Sequence, residues 1–318
     1  MEIKRIEWVD IAKAIGIFLM VMGHTGMPKL GNQWIYSLHM PLFFFLSGML
    51  FTSGKYSFWQ LLKRKTLTMV VPYMFFTLIF FWGGEILDYQ LFKHSSFRTL
   101  LIKGSGGAVW FIYVLFFVEL IYWAIDKICK AWLIPVVCLI AAVVGYIADT
   151  NGVHLPYKLE VIGMGLMFYN IGVATKNMKA LQQKLPIWLL LLLLIVDIGL
   201  AYIQNPRLDM ADNCYGMGIP TILLALLGIY LTIQVSLRMD RSIPQWLRKP
   251  VVYIGRNTIV IVGLSQVILM SLKKFFDIHG VPNIIGAPIR HLLLWIALFA
   301  ATWILNRYVP FLIGKTKK

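Results

Sequence analysis

Residues 10–51 read DIAKAIGIFLMVMGHTGMPKLGNQWIYSLHMPLFFFLSGMLF, and this stretch decides the fold. From Ile11 to Met27 the chain is apolar except for Lys13, His24 and Thr25. From Trp34 to Phe51 it is largely apolar again, broken by His39 near the start and by Ser47 and Gly48 near the end. Two such runs joined by about six residues predict two helices crossing a bilayer antiparallel, since a helix satisfies all its own backbone polar groups in lipid. With the first helix running from inside to outside, His24 lies roughly 5 Å below the outer end, at about 1.5 Å of rise per residue. His39 enters the second helix at a similar depth. Ionisable groups are costly there and mark function by default, so the two imidazoles define the expected site.

Composition supports the membrane reading. The 318 residues are 59% hydrophobic and only 14% charged, outside the range of a soluble globular domain. The net charge of +16 raises nucleic acid as a partner, but its distribution argues against that. Loops and termini assigned to one side hold 19 Lys/Arg and those of the other side nine, with Lys13 and Arg307 at helix ends. That asymmetry predicts cytoplasmic termini and no nucleic-acid partner. The MEIKR start imitates a signal peptide, yet Asp10 and Lys13 interrupt its apolar region and no A-x-A site follows, so a retained first helix is expected. Cys129, Cys138 and Cys214 fall on an inner loop, inside a helix and on an outer loop, and predict no disulfide and no metal site.

Apolar runs predict spans at 9–27, 34–53, 67–84, 108–125, 132–148, 160–175, 187–204, 217–236, 257–273 and 289–310. The fold expected is all-α: a polytopic integral membrane helix bundle of about ten transmembrane helices, forming one domain over 1–318. Longer outer loops are expected at Glu85–Gly107, Asp149–Lys158, Gln204–Gly216 and Phe276–Pro288. Trp34, Trp110, Trp188 and Trp246 near span ends fit an interfacial aromatic belt.

Polar residues within these spans are the functional candidates. Asp10, Lys13 and His24 share one face of the first helix, because eleven residues at about 100° each make three turns plus about 20°. Lys13 and His24 are then roughly 16 Å apart along the axis, two stations of one interior. A snorkelling lysine and a packing histidine are the plainer reading. For His39, Pro41 two residues later frees a backbone carbonyl that can orient the imidazole; a helix-end histidine facing headgroups is the alternative. The run Lys63, Arg64, Lys65 suits a polyanion, or a lipid-facing anchor. Arg256 at the inner interface is a second phosphate candidate, and Asn170 and Asn257 are candidates to line a polar path. Trp110 and Phe111 suit a sugar ring at the outer mouth. Glu119 is a carboxylate expected to pair with a cation of the bundle. Asp197 has no partner visible in the sequence.

DIAKAIGIFLMVMGH followed by SLHMPLFFFLSGMLF resembles the opening of the acyltransferase 3 family, most closely its fucose 4-O-acetylase-like branch. Weaker matches follow in order: KRKTLTMVVPY, GGAVWFIYVLF, FYNIGV and YIGRNT. The resemblance implies a membrane enzyme moving acyl groups, usually acetyl from acetyl-CoA, onto extracytoplasmic glycans. It implies that Lys13 and His24 correspond to the first-helix basic residue and the catalytic histidine. The chain departs from the pattern in two places. Thr68 stands where the family often has the second of two third-helix arginines, and Ser265 and Gln266 end a motif that often closes in histidine.

The expectation is therefore a multi-pass O-acetyltransferase of the plasma or inner membrane, surrounded by lipid and using no metal. Acetyl-CoA, as co-substrate, is expected at Lys13, Lys63, Arg64, Lys65 and Arg256. A glycan or lipid-linked sugar is expected near Asp10, Trp110, Glu119 and Asn257. His24 acts as general base, either directly or through an acetyl-histidine, and His39 assists it. A transporter or flippase of glycan precursors is the rival reading. Against it stands the lack of repeated halves with paired broken helices.

Overall fold

A computed structural model describes residues 6–87, 107–204 and 207–315. These are almost wholly helical, and the chain is an all-α membrane bundle. Each of the ten predicted spans coincides with a helix. Among the described residues, six helical stretches are long and apolar enough to cross a membrane: Phe58–Gly83, Gly107–Ile128, Leu133–Thr150, Ile219–Ser242, Thr258–Ile278 and Gly286–Tyr308. The outer loop expected at Glu85–Gly107 and the extreme C-terminal lysines lie largely outside the described residues.

The chain forms two compact units. The first comprises Met1–Lys55, Ile121–His154 and Glu160–Thr258; the second comprises Tyr56–Leu120, Leu155–Leu159 and Ile259–Lys318.

In the first unit, α1 (Glu7–Gly23) and α2 (Lys29–Met49) form the expected hairpin. Gly16 of α1 faces Leu42 and Phe43, and Gly23 faces Ile35 and Tyr36, so positions run in opposite directions along the two helices. α1 ends four residues before the predicted Met27. Thr25 donates its hydroxyl to the Met22 carbonyl at 2.7 Å, and Gly26 takes a φ of 81° that turns the chain. α2 starts earlier than predicted, because Pro28 precedes it and leaves the first turn open to polar residues. Its body from Ile35 to Phe45 is nearly all buried. In sequence order this unit continues through the end of α5 (Trp110–Ile128), α6 (Leu133–Thr150), α7 (Ile162–Thr175), α8 (Ile187–Ile203), α9 (Ile219–Ser242) and α10 (Gln245–Arg256).

The short α7 is held by backbone contact. A Cβ at Gly48 of α2 would collide with the Tyr169 carbonyl, and one at Gly172 of α7 with the Phe45 carbonyl. Small residues thus let the two backbones touch, as is usual between helices in lipid. Lipid-facing apolar stripes lie elsewhere. On α6 Val136, Leu139, Ile140, Val143, Val144 and Ile147 are exposed at helical spacing, and on α8 so are Leu191, Leu192, Ile195 and Val196. Between α8 and α9 a two-stranded ribbon pairs β1 (Leu208–Asp209) with β2 (Cys214–Tyr215), and β1 packs on α2.

The second unit holds α3 (Phe58–Lys65), a π-helical turn at Thr66–Val70, α4 (Val71–Leu87), most of α5, α11 (Thr258–Ile278) and α12 (Asn283–Tyr308). Ser57 opens α3 with a capping box to Gln60. The π turn ends two residues before Pro72, whose missing N–H interrupts the i→i−4 ladder. Gly314, in the turn after Pro310–Ile313, lies against the Thr68 backbone. α3 and α10 are helices in stretches read as inner loops. Both are amphipathic, exposing Trp59 and Trp246.

Candidate active site

The two histidines meet in the first unit through Tyr36. His24 is the residue that caps the C-terminus of α1, just beyond the helix rather than inside it as predicted. His39 lies in the middle of α2 and is 4% exposed. The Tyr36 ring meets His24 edge-on with centroids 6.3 Å apart, and His39 edge-on at 5.0 Å. Tyr36 and His39 share a face of α2 because they are three residues apart.

His39 Nδ1 is 2.7 Å from the Ile35 carbonyl. A carbonyl only accepts, so in the neutral imidazole Nδ1 carries the proton and Nε2 keeps its lone pair. The orienting carbonyl is one helical turn back on α2. It is not the Ser37 carbonyl that Pro41 frees, which corrects the role expected of that proline.

Over the Tyr36 ring lies Arg207, a residue that sequence reasoning missed. Its guanidinium carbon is 3.8 Å from the ring centroid, close enough for cation–π attraction. One terminal nitrogen donates to Asp209 Oδ2 at 2.9 Å and the other to Asn32 Oδ1. Asp209 also accepts from the Ala211 N–H at 3.1 Å, which fixes the carboxylate to its own loop. Asn32, Tyr36, Arg207 and Asp209 together roof the histidine end of the α1–α2 hairpin. Of these four, only Tyr36 carried a sequence signal, its spacing from His39.

At the other end of α1, the structure joins two predicted residues to each other. Arg256 Nε donates to Asp10 Oδ2 at 3.0 Å, and its terminal nitrogen is 3.7 Å from Glu7. Arg248 bridges Glu7 and Asp240, each at 2.5 Å. A Cβ at Gly255 would collide with the Asp10 carbonyl, so α10 lies directly on α1. Asn257 is buried at the end of α10, with its amide on the Tyr253 carbonyl at 2.7 Å. Lys13 is half-buried on α1.

In the second unit Lys65 pairs with Glu119, as a bundle cation was expected to do. Arg64 donates to the Tyr56 hydroxyl at 2.6 Å, and Lys63 is exposed. Trp110 is 3% exposed and packs edge-on to Phe111, so it belongs to the core of its unit and not to an outer belt. Asp197, which had no partner in the sequence, accepts from the Trp34 indole at 2.8 Å. Trp34 thus faces protein too, while Trp188 and Trp246 are exposed as a belt requires.

The family model described as an acyltransferase domain matches residues 6–307. The chain belongs to the acyltransferase 3 family. Neither the curated proteins nor the solved structures compared include a match. This acyltransferase brings two imidazoles together through Tyr36 within one unit, and in the same unit joins Arg256 to Asp10 at the other end of α1.

Proposed function

We propose that this membrane acyltransferase is an O-acetyltransferase of the plasma or inner membrane. It moves acetyl from cytoplasmic acetyl-CoA to a hydroxyl of an extracytoplasmic or lipid-linked glycan. The observation that carries this reading is the contact of His24 and His39 through Tyr36 at one end of the α1–α2 hairpin. Neutral imidazole is a general base matched to a sugar hydroxyl, which is too weak an acid to attack a thioester unaided.

In the proposed reaction His24 takes the hydroxyl proton as the oxygen attacks the thioester carbonyl. The tetrahedral intermediate collapses with loss of the CoA thiolate, and the imidazolium returns its proton to that sulfur. Lys13, Lys63, Arg64, Lys65 and Arg256 remain the cations proposed for the donor phosphates; Lys65 and Arg256 also pair with Glu119 and Asp10, so their first role is structural. A second reading makes His39 the base and His24 its partner. The Nδ1 bond to Ile35 favours it, because that bond leaves Nε2 as a fixed acceptor.

The test is release of CoA thiol by purified protein supplied with acetyl-CoA and candidate glycans. The expected result is release that requires an acceptor and disappears in His24→Ala. Folded protein that releases no thiol with any glycan sinks the O-acetylation reading.

A further inference from the structure

We propose that Arg207 is a positioning residue of the histidine site: from its anchorage on Asp209 and Asn32 it holds the Tyr36 ring against His24 and His39. The proposal rests on the acyltransferase reading above for its activity readout only.

Three observations carry it. First, the guanidinium lies 3.8 Å from the Tyr36 centroid, and the same ring makes T-shaped contacts with both imidazoles. Tyr36 thus touches all three groups. Second, the cation is itself fixed: its two terminal nitrogens are spent on Asp209 and Asn32, and Asp209 is tied to the Ala211 N–H. A guanidinium anchored through both terminal nitrogens is fixed in position over the ring, which suits it to act as a brace for Tyr36. Third, Asn32 and Tyr36 are on α2 whereas Arg207 and Asp209 are at the ribbon between α8 and α9. A residue about 170 positions away in sequence thus closes over the turn that carries His24.

The Tyr36 ring also lies close to α1: a Cβ at Gly23 would come within 3.1 Å of its Cε2. Removing the guanidinium takes away one of the groups that hold the ring there. The His24 imidazole follows directly on Gly23 and loses a fixed neighbour. Misplacement of a reacting group by about 1 Å costs on the order of 10²-fold in rate.

The experiment compares Arg207→Ala, Arg207→Lys, Tyr36→Leu and the double variant Arg207→Ala/Tyr36→Leu, with turnover expressed per folded molecule. Arg207→Ala is expected to lower kcat by about 10- to 100-fold while the acetyl-CoA KM stays near that of the parent. Arg207→Lys is expected to fail almost as badly, since an ammonium has neither the flat face nor the two-pronged fork. The double variant should be no worse than Tyr36→Leu alone, because both changes remove one device. Additive losses, full rescue by lysine, or parent-like turnover in Arg207→Ala would overturn the proposal. Should Arg207→Ala not fold, Asp209→Asn keeps the loop's size and is expected to show a smaller loss of the same kind; unchanged turnover there overturns it equally.

A readout independent of acyl transfer is carbethoxylation of the imidazoles by diethyl pyrocarbonate, followed by peptide mass. The clamp predicts faster modification of His24 in Arg207→Ala than in the parent. Equal rates in a folded variant count against the clamp. A parent protein that transfers no acyl group, yet shows this change in labelling, leaves the clamp standing and removes the O-acetylation reading.

Discussion

Arg256 donates to Asp10 at 3.0 Å across 246 residues of sequence, with Asp10 4% exposed and α10 lying on α1 at Gly255. Two residues expected to meet different substrates are thus each other's partner. Removing one partner of a buried charge pair is costly, so the pair is a structural joint first.

That joint gives the first prediction. Arg256→Gln should lower the stability of the folded protein by about 2 kcal/mol, the usual worth of a hydrogen bond between charged groups. The acetyl-CoA KM of the surviving folded fraction should change little. Thermal unfolding in detergent, set beside donor kinetics, checks both; a large KM change at unaltered stability would return Arg256 to the donor site.

His24 carries the second. His24→Ala should remove roughly 10²–10⁴-fold of turnover while the protein still inserts and folds. His24→Gln should be nearly as inactive, since an amide keeps volume and hydrogen bonding but takes no proton. His39→Gln should lose less. Where the order is reversed, with His39→Gln the more damaged, His39 is the base. Turnover per folded molecule distinguishes the two.

Lys65 and its neighbours should separate by partner. Lys65→Met leaves Glu119 buried without a cation and should destabilise the protein by about 3–5 kcal/mol. Lys65→Met with Glu119→Leu should recover most of that loss. Lys63→Gln with Arg64→Gln should leave stability nearly intact and raise the donor KM. An unchanged donor KM in that double variant makes the two residues membrane anchors.

Topology follows from the charge asymmetry. Single cysteines at Lys55 and Lys130 should be labelled by membrane-impermeant reagents from the cytoplasmic side only, and those at Gly152 and Gly280 from the other side only. Labelling of Lys55 and Gly152 from one side breaks the proposed arrangement.

The hairpin of α1 and α2 was legible because its signals are local: two apolar runs, a short turn, and polar residues at helical spacing. The histidine pair was legible for the same reason. Arg207 was not, because nothing within several residues of it marks a partner about 170 positions earlier. Asp197 and Trp34 hid from the sequence in the same manner. Trp110 sits at a span end and so carries the signal of an outer-belt residue, but burial is decided by what packs around that end. α3 and α10 look like loops in the sequence because each is short and carries three basic residues, although each presents its apolar side along one helical face.

α7 is only 14 residues, about 21 Å of regular helix against a hydrocarbon layer of roughly 30 Å. Its central residues touch α2 and α6 rather than lipid, so nothing obliges its length to match the bilayer. The cost of a thicker or thinner membrane falls instead on helices such as α6 and α8, whose exposed apolar stripes must stay covered. α6 is itself joined to α7, since a Cβ at Gly163 would collide with the Ala141 carbonyl. A tilt of α6 under hydrophobic mismatch would thus be passed through α7 to the glycine contacts of α2, and the helix that carries His39 would feel a change of bilayer thickness without facing lipid.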